Sequence, residues 1–126
     1  MSKLRVLFVD DEVELVSAVV ERLQLRGLEA QGANSGDEAL ALAGQHTFDV
    51  AVLDVRMQGL GGFDVLRRLK LVTPRPAVVL LSGHGSTDDV QEGLRLGAFE
   101  YLQKPVEIEH LVKTIHAASR SVRDEK

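Results

Sequence analysis

The sequence predicts an α/β fold built on a five-stranded parallel sheet, and three observations predict it. Short apolar runs rich in Val and Leu recur along the chain, amphipathic helical patterns separate them, and polar residues able to do chemistry stand at the ends of the runs. Runs that stay apolar instead of alternating suit strands buried on both faces, as in a parallel sheet covered by helices. Strand–helix alternation then implies right-handed crossovers.

The elements follow in order. Leu4 to Val9, broken only by Arg5, reads as the first strand. Val13 to Arg26 carries Leu15, Val19 and Leu23 at four-residue spacing with Val16 and Val20 beside them, and Gly27 is its stop. Leu28 to Ala33 alternates in part and reads as an edge strand. Ser35-Gly36-Asp37-Glu38 has the form of a capping box opening a helix to about Gln45. Val50 to Leu53 is the third strand, and Gly62 to Lys70 a helix with Phe63, Leu66 and Leu69 on one face. Ala77 to Leu81 is the fourth strand; Thr87 would cap a helix to Leu96, with Gly97 as its stop. A weaker run, Phe99 to Leu102, is the fifth strand, and Ile108, Leu111, Val112 and Ile115 form the stripe of a last amphipathic helix. Gly59, Gly61 and Gly62 match neither a dinucleotide fingerprint nor a Walker A loop and read as turn residues.

At 126 residues the chain is one domain by length, expected over residues 1–121, with 122–126 a polar tail or the start of a linker; the polar stretch itself begins at Ser119. The net charge of −4 argues against non-specific nucleic-acid binding, which needs a basic face. The lack of cysteine excludes disulfides, thiolate catalysis and zinc–thiolate sites. No apolar run approaches the roughly 20 residues needed to span a bilayer, and the first residues lack the pattern of a signal peptide. A cytoplasmic location without membrane contact is the expectation.

The informative pattern is where the polar residues fall. Asp10 and Asp11 end the first strand, Asp54 the third, Ser82 the fourth and Lys104 the fifth. In an open α/β sheet all these ends lie on one edge, where ligands bind. Three carboxylates gathered there repel one another. A hard divalent cation relieves that, and oxygen ligands favour magnesium, which takes one or two carboxylates and a phosphate. A lysine supplies a point charge for phosphate oxygens, and a serine hydroxyl a hydrogen bond. Phosphoryl transfer needs little beyond such positioning and charge, and an aspartate can itself be the nucleophile. Singly, each residue has a plainer reading: Asp54 a strand-end cap, Asp10-Asp11-Glu12 an acidic first helical turn, Lys104 a surface lysine. Their common register favours the shared pocket.

On these residues the chain resembles a bacterial response-regulator receiver domain of the CheY-like, flavodoxin-like type, over nearly its whole length. The resemblance is carried by Asp10-Asp11 after Leu7-Phe8-Val9; by Asp54 after Val52-Leu53, with Val55-Arg56-Met57-Gln58-Gly59 and Gly62 following; by Ser82-Gly83-His84-Gly85; and by Tyr101-Leu102-Gln103-Lys104-Pro105. It implies strand order 2-1-3-4-5 with helices on both faces. It implies that Asp54 accepts a phosphoryl group from a sensor histidine kinase or phosphotransfer protein. Asp10, Asp11, Asp54 and the Arg56 backbone carbonyl would hold Mg2+. Lys104 would bind the phosphoryl oxygen, Ser82 would hydrogen-bond it, Tyr101 would turn inward behind Ser82, and the Lys104–Pro105 bond would be cis. Such a domain is a switch, not an enzyme with a separate substrate, limited to self-phosphorylation and slow autodephosphorylation. Its output is an effector, such as the rest of a transcription regulator.

Two positions depart from the family's commonest pattern. Gln58 stands where proline is frequent, without loss of required side-chain chemistry, and Ser82 where threonine is also common. Two other functional classes share part of this pattern. A haloacid-dehalogenase-type phosphatase also uses an aspartyl phosphate and magnesium, but wants Asp-x-Asp at the first strand and usually a cap domain. A flavodoxin-like electron carrier wants a phosphate-cradling first loop and aromatic stacking. Tyr101 also admits a reading as ordinary half-buried packing. His84 reads as an exposed loop residue which, with Arg56, rims the pocket and tunes phosphate lifetime; His46, His110 and His116 read as solvated. Val90, Leu94, Tyr101, Gln103 and Val106 belong to the surface of the fourth helix, fifth strand and fifth helix, which the family often uses for partner or homodimer contacts. Leu94 is expected in the core.

Overall fold

The computed structural model describes residues 3–83 and 86–124. The chain runs β1 (Arg5–Val9), α1 (Val13–Leu25), β2 (Glu29–Ala33), α2 (Gly36–Gln45), β3 (Val50–Asp54), α3 (Gly62–Leu69), β4 (Ala77–Ser82), α4 (Thr87–Arg95), β5 (Glu100–Gln103) and α5 (Ile108–Asp124). All strand pairs are parallel, in the order β2-β1-β3-β4-β5. The expected fold and strand order are those observed.

The continuous apolar runs are explained by the two cores. In β1, β3 and β4, Val6, Phe8, Val50, Val52, Val79 and Leu81 face α1 and α5, where they meet Val16, Val19, Leu23, Leu111 and Ile115. The intervening residues Leu7, Val9, Ala51, Leu53, Val78 and Leu80 face α2 and α3 and pack on Ala39, Ala43, Val65, Leu66 and Leu69. Successive side chains of a strand point to opposite faces, so a strand covered on both sides has no position for a polar residue until it ends. That is why the ends are where Asp54 and Ser82 occur.

Several local features differ from the expectations. Ser86, not Thr87, caps α4, its hydroxyl accepting from the Asp89 amide at 3.1 Å. At α2 the Ser35 hydroxyl accepts from Glu38 N as a capping box requires, but the Glu38 carboxylate reaches back to the amide of Asn34 instead of Ser35. α5 continues through Ser119 to Asp124, because Ala118 and Ser119 are buried and Val122 packs on the core. Leu94, expected in the core, is 46 % exposed, since the contact of α4 with the sheet is made at buried Gly93 one residue earlier. Gly59 does adopt a positive φ of 75°. Gly62 is needed for a different reason: it is helical, and a methyl group there would lie 2.5 Å from the Asp54 carbonyl oxygen.

That close approach seats the start of α3 against the residue after which the site is built. Gly62→Ala should therefore destabilise the domain by about 1–3 kcal/mol, the usual cost of overpacking against backbone that cannot yield, read as a lowered midpoint in chemical denaturation with unchanged slope.

Candidate functional site

β1 stops at Val9 and β5 at Gln103, so Asp10, Asp11 and Lys104 lie just beyond their strands, while Asp54 and Ser82 are the last residues of theirs. The order β1-β3-β4-β5 places these four ends side by side. Backbone bonds pin them: Asp10 N donates to Ala33 O at 3.2 Å, Val55 N to Leu81 O at 2.9 Å, and Lys104 N to Ser82 O at 2.8 Å. The Lys104–Pro105 peptide is cis, as is Thr73–Pro74.

Asp10, Asp54 and Ser82 are buried, while Asp11 is exposed. The carboxylate oxygens of Asp10, Asp11 and Asp54 come within 4.8 Å of one another. Three hard oxygen donors so close, two of them withdrawn from water, form a set that fits a hard divalent cation. The Lys104 ammonium faces this cluster. It lies 2.5 Å from Asp10 Oδ2, 3.7 Å from Asp54 Oδ2 and 3.9 Å from Glu12 Oε1. Asp10 Oδ1 accepts from the Glu12 amide at 3.0 Å, so the start of α1 satisfies the second oxygen of this buried acid.

Burial, then the charge of Asp10, push the Asp54 carboxyl up to about 6; Lys104 and the Arg56 N–H oppose this, and Asp11 adds to it. Burial works against the charged form of Lys104, but the hydrogen bond and charge of Asp10, followed by Asp54 and Glu12, outweigh it and raise the lysine. Lys104 is therefore a fixed cation.

Tyr101 is directed inward. It pairs with Leu80 in β5–β4 register and belongs to the core on the α2–α3 face. Its hydroxyl is buried without a hydrogen-bond partner among the described residues. Ser82 follows Leu80 by two residues in β4 and so continues the same sheet face. Arg56 is exposed, and its guanidinium Nη2 lies 3.1 Å from Asp89 Oδ2 on α4. His46, His110 and His116 are exposed, as expected; His84 and Gly85 lie outside the described residues.

Two contributions were missed in the sequence reading. The Gln58 amide donates to Asp11 Oδ2 at 3.3 Å. Proline, common at that position, has no N–H to give. The departure thus ties the exposed acid to the β3–α3 loop through backbone, a signal readable only once the loop is known to fold over Asp11. Asp89 is the other: nothing in its local sequence points to Arg56, 33 residues away.

A flavodoxin-like sheet whose carboxyl edge gathers three acids, a serine and a lysine defines a class of signalling domain. Residues 6–116 match the family of response regulator receiver domains, and the chain belongs to it. Receiver domains are switches of two-component systems and accept phosphate from histidine kinases, which sets aside the phosphatase and electron-carrier readings. The transcriptional regulatory protein CpxR of Klebsiella pneumoniae is 39% identical over 116 residues, covering 92% of this chain and 49% of that protein. A response regulator receiver domain from Clostridium thermocellum superposes with a TM-score of 0.89 at 34% identity, over 98% of this chain and 99% of that one. A response regulator from Burkholderia pseudomallei, solved with a phosphorylated aspartic acid, calcium ion and citrate, has a TM-score of 0.85 at 25% identity, over 98% of this chain and 72% of that one. The chain spans about half the length of the curated relatives it matches. Among the described residues no helix is long and apolar enough to cross a membrane.

The raised Asp54 carboxyl has a consequence for stability. The folded state holds this proton more tightly than the unfolded chain, whose carboxyl titrates at its ordinary value of 3.8. The ionised acid therefore weakens the fold above pH 6, and this cost fades as pH falls towards 4. In buffer free of divalent cations, Asp54→Asn should stabilise the domain by about 1–3 kcal/mol at pH 8, with most of the gain gone at pH 4. Urea denaturation at both pH values checks it; an equal gain at both would remove the titration as the cause.

Proposed function

We propose that this domain accepts a phosphoryl group on Asp54 and, in the phosphorylated state, switches the face that contacts its effector. The observation that carries the reading is the pocket itself: a buried carboxylate beside two further acids and one held lysine, at the aligned ends of four parallel strands. The family membership and the phosphorylated aspartic acid of the Burkholderia relative support it.

In this reading a carboxylate oxygen of Asp54 attacks the phosphorus of a phosphohistidine on a sensor kinase or phosphotransfer protein. An O–P bond forms as the P–N bond breaks, and the electron pair returns to the imidazole nitrogen. Lys104, already charged and directed into the pocket, takes an oxygen of the transferred group. Ser82 donates its hydroxyl to another. Tyr101 lies behind Ser82 on the same sheet face; its buried hydroxyl has no partner among the described residues, so no hydrogen bond there opposes a shift in population towards another ring position. Asp10, Asp11, Asp54 and the Arg56 backbone carbonyl are the residues that would hold magnesium, which when bound neutralises charge on the transferring group. Water later hydrolyses the acyl phosphate slowly, so the domain resets itself without acting on a separate substrate.

The output is proposed to leave by the face of α4, β5 and α5, through a homodimer or an attached effector. Leu94 and Gln103 are exposed there, with Val90 and Val106 half-buried beside them. A cytoplasmic location belongs to the same reading, supported by a sequence without cysteine.

Acetyl phosphate with magnesium should label the protein to near one phosphate per chain, seen by intact mass. Asp54→Asn should take no label, chelation of divalent cations should stop labelling, and Lys104→Ala should slow it by about 100- to 1000-fold, the scale for removing one group that stabilises transition-state charge. Stoichiometric label on the Asp54→Asn protein would overturn the assignment. For the output face, sedimentation velocity with beryllofluoride should show a larger species that Leu94→Glu reduces.

A further inference from the structure

One ion pair at the mouth of the pocket is not used by the reaction described above. Arg56 Nη2 and Asp89 Oδ2 stand 3.1 Å apart, joining the loop after β3 to the first turn of α4. Asp54 ends β3 and Ser82 ends the neighbouring β4, so the bridge joins the loop after one of these strands to the helix that follows the other. Arg56 follows Asp54 by two residues, and its backbone N–H favours the ionised Asp54 carboxylate, so its root lies at the pocket. Only the side chain, 62 % exposed, is free to choose a partner.

We propose that Asp89 holds the Arg56 guanidinium at the pocket mouth, and that a phosphoryl group on Asp54 takes Arg56 from Asp89 and so loosens α4. The proposal rests on the reading of Asp54 as phosphoacceptor, and it makes Arg56 a further residue that binds the phosphoryl group.

Three features carry it. The first is the difference between the two anions. Asp89 offers one negative charge at a partly solvated site, whereas a phosphoryl group offers up to two charges and oxygens that match the guanidinium fork. The second is that Asp89 loses little by giving Arg56 up. It lies in the first turn of α4, where the helix N-terminus favours negative charge, and its own amide remains capped by Ser86. The third is the light attachment of α4. Gly93 is its one buried residue among those described, Val90 is half-buried, and Leu94 faces water. Among the described residues α4 is also joined to α3 by Arg67–Glu92, at 3.8 Å. Gly93 sits so close that a methyl group there would meet Leu80 at 2.6 Å and the rings of Phe63 and Tyr101 at 3.4 Å. A helix that rests on a glycine, steadied at its sides by half-buried Val90 and the Arg67–Glu92 pair, can tilt on release and alter the space around Tyr101.

The test compares wild type, Asp89→Asn, Arg56→Gln and the double variant, each confirmed folded by thermal melting. Amide hydrogen exchange over residues 87–95 should be about two- to five-fold faster in each single variant, the scale of one exposed ion pair. The double variant should be no faster than the singles, since both remove one interaction. Beryllofluoride with magnesium should bring wild type to the exchange of Asp89→Asn. Labelling by acetyl phosphate should be faster in Asp89→Asn than in wild type, and that gain should vanish when Arg56→Gln is also present. Wild-type exchange in the single variants, additive effects in the double variant, or a labelling gain that persists without Arg56 would each refute the latch while leaving Asp54 labelling intact. Label retained by Asp54→Asn would instead show that the underlying phosphoacceptor reading had failed.

Discussion

The half-buried ammonium of Lys104 is the constraint around which the site is organised. Asp10 has no exposed surface and Asp54 almost none, and both approach the same lysine. Two carboxylates withdrawn from water need a compensating charge. Lys104 provides it from the far end of the sequence, held by a backbone bond to Ser82. Burial, and then the charge of Asp10, raise the proton affinity of Asp54, and Lys104, which takes the closer contact with Asp10, offsets this only in part. A pocket in which one acid is satisfied and its neighbour is not keeps a site of attraction for further positive charge, whether a metal ion or the electrophilic phosphorus of a donor. In the proposed reading, the stability given up at Asp54 is what makes it available for phosphoryl transfer.

The same economy appears at α4. The central strands are sealed by helices on both faces, yet α4 rests on the sheet at a glycine and is steadied by ion pairs to the β3–α3 loop and to α3. Tightly packed elements transmit strain, whereas lightly packed ones move at small cost. This lightly attached helix borders Tyr101, whose hydroxyl has no partner among the described residues.

Much of this was legible beforehand, and the reasons are specific. The apolar runs of β1, β3 and β4 announced strands buried on both faces, and Asp54 and Ser82 announced themselves by ending such runs. Boundaries were less legible where two residues could serve one role: Ser86 and Thr87 are both acceptable caps, and only backbone geometry selects Ser86. Leu94 was misplaced because hydrophobicity does not say which side of a helix meets the sheet; Gly93 does, through a contact that has no side-chain signature. The polar stretch from Ser119 resembled a fraying end, but burial of Ala118 and Ser119 and the packing of Val122 carry the helix on to Asp124.

The sequence by itself determined the layering, the parallel sheet and the list of residues at its carboxyl edge, because burial on two faces leaves a distinct residue pattern and strand ends are where polar groups are permitted. The tertiary structure decided how those residues divide their interactions. That Lys104 favours Asp10 over Asp54, that the Gln58 amide reaches Asp11, and that Arg56 pairs with Asp89 depend on distances between segments 33 to 94 residues apart. Such distances are set by how loops close over the sheet edge, and electrostatic interactions change with every ångström of that closure.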